Sequence, residues 1–311
     1  MRVVLVGTQK GGAGKTSLVA GLGSLAARPE GGRRVLLVDG DQQANLSRRN
    51  LGVEGDGGRG LYGAIVLGES LTPVRDVKPG LDVVPGGPAL AMVGGAAASA
   101  AAAGLDLGAN LRRAISELAA TGEYGLCLVD LGPGDVALLD AVLAVADFVV
   151  APHREDEADL DGVELLIKRV LRARRDLNPS LEFLGTVHFA RDVRASARNE
   201  ALDSSVRQLL AGSGVEPFTA TVRHSPAVAR DARALGMSPR ELIEQAEAAS
   251  AERFAMLRRR RVGRHEPESS TRLLWGRPDA AEALARDYLA VLKELLGRIA
   301  LAQTQAPVPS R

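Results

Sequence analysis

A single cysteine, Cys127, stands in 311 residues, so no intrachain disulfide can form and no cysteine-based metal cluster can be built. It lies in the apolar run Leu126-Cys127-Leu128-Val129 and reads as a small buried core residue, not a nucleophile. Aromatics are scarce, 3% of the chain, so a core must be built mainly from Val, Leu and Ala. Excess charge of one sign is lacking too. A net charge of +1 gives no general attraction to nucleic acid or acidic substrates, so any basic surface must be local. His153, His188, His224 and His265 are scattered and lack metal-ligand spacing. No apolar run is long enough to span a membrane, and no signal-cleavage pattern follows the opening run Arg2-Val3-Val4-Leu5-Val6-Gly7. The expectation is a cytoplasmic protein.

What is present is the composition of a globular chain with a full core, 46% hydrophobic and 25% charged. Short Val/Leu runs at 2–7, 34–39, 81–85, 125–131, 147–151, 181–189 and 217–222 alternate with helical stretches at 16–27, 107–121, 159–176 and 195–211. Runs so uniformly apolar suit strands covered on both faces. The fold class expected is therefore α/β, a doubly wound, mostly parallel sheet with helices on both faces. Residues 52–60 are glycine-rich and read as a loop, and 86–104 suits either a helix or a mobile loop. Residues 258–278 read as a surface insertion before a last helix at 279–302, and 1–311 reads as one domain.

Chemistry enters at Lys10-Gly11-Gly12-Ala13-Gly14-Lys15-Thr16, between the first strand and the first helix. In that context the backbone N–H groups of 11–16, with Ser17 beside them, cradle phosphate at a helix N-terminus. Lys15 would reach the β- and γ-phosphates, and the Thr16 hydroxyl would bind Mg²⁺. Gln9 stands where the ordinary P-loop has its first glycine, and a second lysine, Lys10, stands at the loop's entrance. A cation there can reach the nucleotide of a facing subunit, as an arginine finger does. The strand 34–39 delivers Asp39 and Asp41 to the C-terminal sheet edge, and 125–131 delivers Asp130 in the manner of a Walker B aspartate. Asp41 is the candidate for orienting the attacking water, with Asp39 in or near the metal's outer shell.

With these residues in place the sequence resembles the ParA/MinD group of deviant Walker A P-loop ATPases, and within it the ParA-type partition ATPases. The likeness includes the loop 10–16, the turn 39–43 with Asn45, Gly80-Leu81-Asp82-Val83-Val84-Pro85-Gly86, the strand ending at Asp130, and 177–185. The resemblance implies a weak, partner-stimulated ATPase using ATP and Mg²⁺, a homodimer formed on ATP with Lys10 at the partner's nucleotide, and Asp41, Thr16 and Asp130 in the family's water- and metal-associated places. It also implies binding to nonspecific double-stranded DNA, a ParB-like adaptor, nucleoid association in the ATP state, and plasmid or chromosome partition. The alternative is a MinD-like or ParA-like positioner of protein cargo or membrane-associated complexes. The family usually has Pro where Gln42 stands and Thr-Pro-Pro where Leu131-Gly132-Pro133 stands, departures that keep the charged groups and bear on switch geometry.

DNA-binding candidates fall in three arginine groups: Arg258, Arg259, Arg260 and Arg261; Arg191, Arg194 and Arg198; and Arg223, Arg230 and Arg233. For each single arginine a solvated helix face is the competing reading. The last helix has an apolar stripe at Leu284, Tyr288, Leu292, Leu295 and Ile299, but Glu282, Asp287 and Glu294 accompany it, so a membrane partner is not expected.

Overall fold

Along β1 (Arg2–Val6), Val3 and Leu5 enter one core while Val4 and Val6 enter another. Successive side chains of a strand point to opposite faces, so an unbroken apolar run means both faces are covered. The computed structural model describes residues 1–27, 32–238, 241–243 and 277–305. Its strands are β1, β2 (Arg34–Gly40), β3 (Val74–Lys78), β4 (Leu81–Val84), β5 (Tyr124–Leu131), β6 (Phe148–His153), β7 (Glu182–Arg191) and β8 (Val222–Arg223). They form one sheet in the order β3-β4-β2-β5-β1-β6-β7-β8, with only β3 antiparallel to its neighbour.

One face is covered by α1 (Lys15–Ala26) and the long C-terminal helix, here α9 (Pro278–Gln305), through Leu18, Leu22, Tyr288, Leu292 and Leu295. The other face carries α4 (Leu107–Ala120), α5 (Val136–Leu143) and α6 (Glu157–Asp176) through Leu111, Ile115, Leu138, Val142, Val163 and Leu166. Asp106 and Asp135 cap α4 and α5, each accepting a backbone N–H three residues on. The remaining helices are α2 (Arg59–Tyr62), α3 (Val93–Ala102), α7 (Ser196–Leu210) and α8 (Pro226–Leu235).

Several elements differ from the sequence reading. The stretch 217–222 is a strand only at Val222, because Pro217 has no N–H and those of Thr219 and Ala220 donate to the Glu294 carboxylate on α9 at 3.0 and 2.8 Å. β3 lacked an apolar signal, since Arg75, Asp76 and Lys78 are charged and its first three residues are exposed. The ambiguous stretch 86–104 holds a single 3₁₀ turn at Pro88–Met92 and then α3. Of the expected insertion 258–278, residues 258–276 lie outside the described residues.

At the N-terminal ends of the strands, Asp82 ties the sheet's edge together. Its carboxylate accepts from Arg34 of β2, Arg75 and the Asp76 N–H of β3, and the Tyr124 hydroxyl of β5. Burial alone would raise its pKa, but the Arg34 and Tyr124 hydrogen bonds hold it well below the usual carboxylate range. At the opposite ends, His153 and His188 are register partners whose rings stack with centroids 5.1 Å apart. Arg191 can only donate, so its contact of 3.0 Å makes the His188 Nδ1 an acceptor and places the ring's proton on Nε2. Burial, then His153 and Arg191, push His188 down to about 3.

Two measurements follow from these contacts. Asp82→Ala strands Arg34 and Arg75, both still reaching water, so chemical denaturation should register a loss of about 3 kcal/mol, the lower end for a broken buried pair. The unfolded chain takes up a proton on His188 near pH 6.5, whereas the folded chain does so only near 3. That contribution to stability is complete above 6.5 and is lost as pH falls. Between pH 7 and 5 the wild type should lose about 2 kcal/mol more than His188→Gln, read from denaturation at the two pH values.

Candidate functional site

The loop after β1 opens directly into α1, whose first turn carries no acidic residue and no side-chain cap. Its N–H groups are therefore oriented for an anion. Gly11 and Gly12 are exposed, Ala13 is buried, and Thr16 and Ser17 are half-buried at the helix start. Lys15 is buried, and its Nζ donates back across the loop to the Lys10 carbonyl at 2.8 Å. Burial lowers its pKa, against the opposing charges of Asp130, Asp41 and Asp159.

Strand register brings the carboxylates to the same edge. Asp39 and Asp130 are direct partners across β2 and β5, and Asp130 lies level with Val6 on β1. Asp39 accepts from the Ser47 N–H and hydroxyl at 2.8 and 2.7 Å and from the Asp41 N–H at 3.1 Å. With its oxygens so engaged it positions the turn that follows, a geometry suited to an outer shell. Asp41 accepts from the Gln43 N–H at 2.9 Å and the Asn45 amide at 3.0 Å. A Cβ on Gly132 would lie 2.9 Å from the Asp41 carboxylate, so the glycine permits this close approach.

Asp130 differs. Both of its oxygens are buried with no hydrogen-bond partner of ordinary geometry. Burial pushes its pKa up to about 8, and the nearby Thr16 hydroxyl and Lys15 charge offset this only in part. A dry carboxylate in that condition favours a cation beside it. Among the described residues no three His, Cys, Asp or Glu side chains converge as a metal cage. Mg²⁺ is commonly held by one or two protein groups together with phosphates and water. Thr16 and Asp130 fit that role.

Lys10 stands apart from Lys15. Its ammonium lies on the loop's outer side, 2.7 Å from Asp156 and 3.1 Å from Asp159, whose contacts raise its pKa. On the far side of the loop, a cavity of about 250 Å³ runs from Gly14 and Ser17 to Phe189, Pro226 and Tyr288. Sequence reading missed this cavity and the acids 155–159, because their partners come from segments distant in the chain. A separate groove of about 1040 Å³ opens beside Asp41 and Pro133, and no Lys or Arg lines it.

The arginine candidates divide by environment. Arg191 makes a two-pronged pair with Asp203, both contacts 2.9 Å, and Arg223 does the same with Asp287 at 2.6 and 2.8 Å. These two are register partners across β7 and β8, so both groups meet at one sheet edge. Arg198 pairs with Glu155 at 2.7 Å yet remains 58% exposed. Arg194, Arg230 and Arg233 are exposed, and Arg258, Arg259, Arg260 and Arg261 lie outside the described residues.

Comparison with known proteins agrees with this geometry. A family model described as an AAA domain matches residues 1–183. The chromosome partitioning protein ParA of Caulobacter vibrioides is 31% identical over 227 residues, 66% of this chain and 80% of that protein. Apo McdA from Cyanothece superposes with a TM-score of 0.66 at 19% identity, covering 78% of this chain and 93% of that one, a likeness of fold alone. Cobyrinic acid a,c-diamide synthase from Mycobacterium smegmatis, with a bound ATP analogue and magnesium, gives a TM-score of 0.60 at 26% identity, over 87% of this chain and 100% of that one. The loop, the in-register carboxylates and these likenesses together make the chain a member of the ParA-type partition ATPases of the P-loop class.

Proposed function

We propose that this protein is a Mg²⁺-dependent ATPase that dimerises on ATP, binds nonspecific double-stranded DNA and drives plasmid or chromosome partition with a ParB-like partner. The observation that carries the reading is the division of labour between two lysines. Lys15 is buried and donates back across the loop, while Lys10 is half-buried and pairs outside it with Asp156 and Asp159, a separation that supports a different role for Lys10, at a neighbour's nucleotide. The backbone of 11–16, with Lys15 and Ser17, would hold phosphate. Thr16 and Asp130 would hold Mg²⁺, with Asp39 ordering the outer shell. The adenosine would occupy the cavity bounded by Phe189, Pro226 and Tyr288.

Asp41, anchored through one oxygen by Asn45 and through the other by the Gln43 N–H, would orient the attacking water. Mg²⁺ would supply charge neutralisation of the phosphates. Exposed Arg194, Arg230 and Arg233 give the DNA reading its surface, and Arg191 and Arg223 would act there by tying the edge together. The ATP state would associate with the nucleoid. A ligase like the diamide synthase is the less favoured reading. Among the described residues no Lys or Arg lines the groove beside Asp41, and its acids are Asp106, Asp135 and the Arg169-paired Asp140, which does not suit an acidic substrate.

Lys15→Ala should weaken ATP binding at least about 100-fold, the scale of a lost charge-assisted phosphate contact. Lys10→Ala should bind ATP as a monomer within about threefold of wild type, yet form no ATP-dependent dimer in light scattering, with turnover reduced about 1000-fold. Normal dimers from that variant would remove the trans role. Asp41→Ala should keep the ATP dimer and slow hydrolysis about 100-fold. Duplex DNA of arbitrary sequence, titrated in ATP, ADP and no nucleotide across a salt series, should bind tightly only with ATP, with affinity falling steeply as salt rises. Dimers that bind no DNA in any state would shift the assignment to a positioner of protein cargo.

A further inference from the structure

One short stretch of chain holds both the entrance lysine and an arginine of the basic edge. Residues 154–159 run from the end of β6 through the first turn of α6, and Glu155 has partners different from those of Asp156 and Asp159. Asp156 and Asp159 close on Lys10 at 2.7 and 3.1 Å. Glu155, between Arg154 and Asp156 in the chain, accepts from the Asp192 N–H at 3.0 Å and pairs with Arg198 at 2.7 Å. Asp159 also accepts from the Arg154 N–H at 3.0 Å, so the stretch is folded back upon itself. One turn further on, a Cβ at Gly162 would meet the Thr8 hydroxyl at 2.9 Å and the Lys10 Cβ at 3.2 Å. The helix therefore lies as close to the phosphate loop as a glycine allows.

We propose that residues 154–159 are a strap that neutralises Arg198 while Lys10 is held in its own protomer. Withdrawal of Lys10 toward a partner's nucleotide removes the cation that ties Asp156 and Asp159 to the phosphate loop, which loosens the folded strap. Glu155 then lets go of Arg198, whose remaining contact, with Asp192 at 3.7 Å, is long enough to leave the guanidinium available to the phosphates of duplex DNA. This rests on the reading that the ATP state binds duplex DNA, and adds a route by which nucleotide state reaches the basic edge. Arg198 is 58% exposed, so its pair with Glu155 is weak, at most about fivefold in an equilibrium. A contact of that strength can be exchanged for a phosphate.

The test is fluorescence anisotropy with a labelled duplex of arbitrary sequence, without nucleotide and with Mg²⁺–ATP, over a salt series. Four proteins are compared: wild type, Glu155→Gln, the double variant Asp156→Asn/Asp159→Asn, and Glu200→Gln, which removes an exposed carboxylate from α7 that holds neither cation. Without nucleotide, Glu155→Gln should bind about fivefold tighter than wild type, with the salt slope steeper by about one phosphate contact. The double variant touches no arginine of α7 and should move in the same direction. With ATP, Glu155→Gln should converge on the wild type. An equal gain from Glu200→Gln would reduce the effect to net charge and overturn the strap. So would nucleotide-free binding by Glu155→Gln equal to that of a wild type that responds normally to ATP. If the double variant does not fold, Glu155→Gln carries the test alone. A wild type that binds no duplex with ATP overturns the DNA reading itself, and the strap with it.

Discussion

The parallel register of β1, β5 and β2 is the constraint on which the site depends. It sets Val6, Asp130 and Asp39 level at one edge, so the phosphate loop and two carboxylates meet although they are separated by up to about two fifths of the chain in sequence. A slip of one residue would turn Asp130 to the opposite face of the sheet. The same strands are fastened at their other ends, where Asp82 joins Arg34, Arg75 and Tyr124. Asp130, buried and without a partner, costs stability in the protein alone. A fully hydrogen-bonded knot at one end and an unsatisfied carboxylate at the other is the arrangement expected when function claims one edge of a fold.

What was legible in the sequence was whatever depends on a short run of residues. Apolar strands, the glycine loop and its two lysines, and an aspartate at the C-terminal end of each of two strands are local patterns, and with the exception of 217–222 the strands and the loop lie where these patterns put them. What was not legible depends on pairing across the fold. β3 is charged and becomes a strand because Asp82 draws in Arg75 and the Asp76 N–H. The strand expected at 217–222 is cut short because Glu294, over seventy positions later in the chain, takes its N–H groups. Arg191 and Arg223 looked like ordinary members of their arginine groups until Asp203 and Asp287 came beside them.

The departures from the family pattern acquire a shape in three dimensions. Gly132 lets Asp41 lie directly against the segment that follows Asp130. Gln42 is exposed, and the turn around it is held from both sides by the Asp41 carboxylate and the Asp41 carbonyl, which accepts from the Ala44 N–H at 2.9 Å. The turn after β2 and the loop after β5 thus rest on one another, and rearrangement of either must be accommodated by its neighbour.

The outer strands bear on how copies of the protein can meet. An open sheet ordinarily offers a ladder of unpaired amides to any passing strand. Here one margin is the charged β3, and the other is a strand of two residues beside amides already claimed by a helix carboxylate. Both margins are poor templates for strand addition. Self-association by backbone pairing is thereby discouraged at both margins of the sheet.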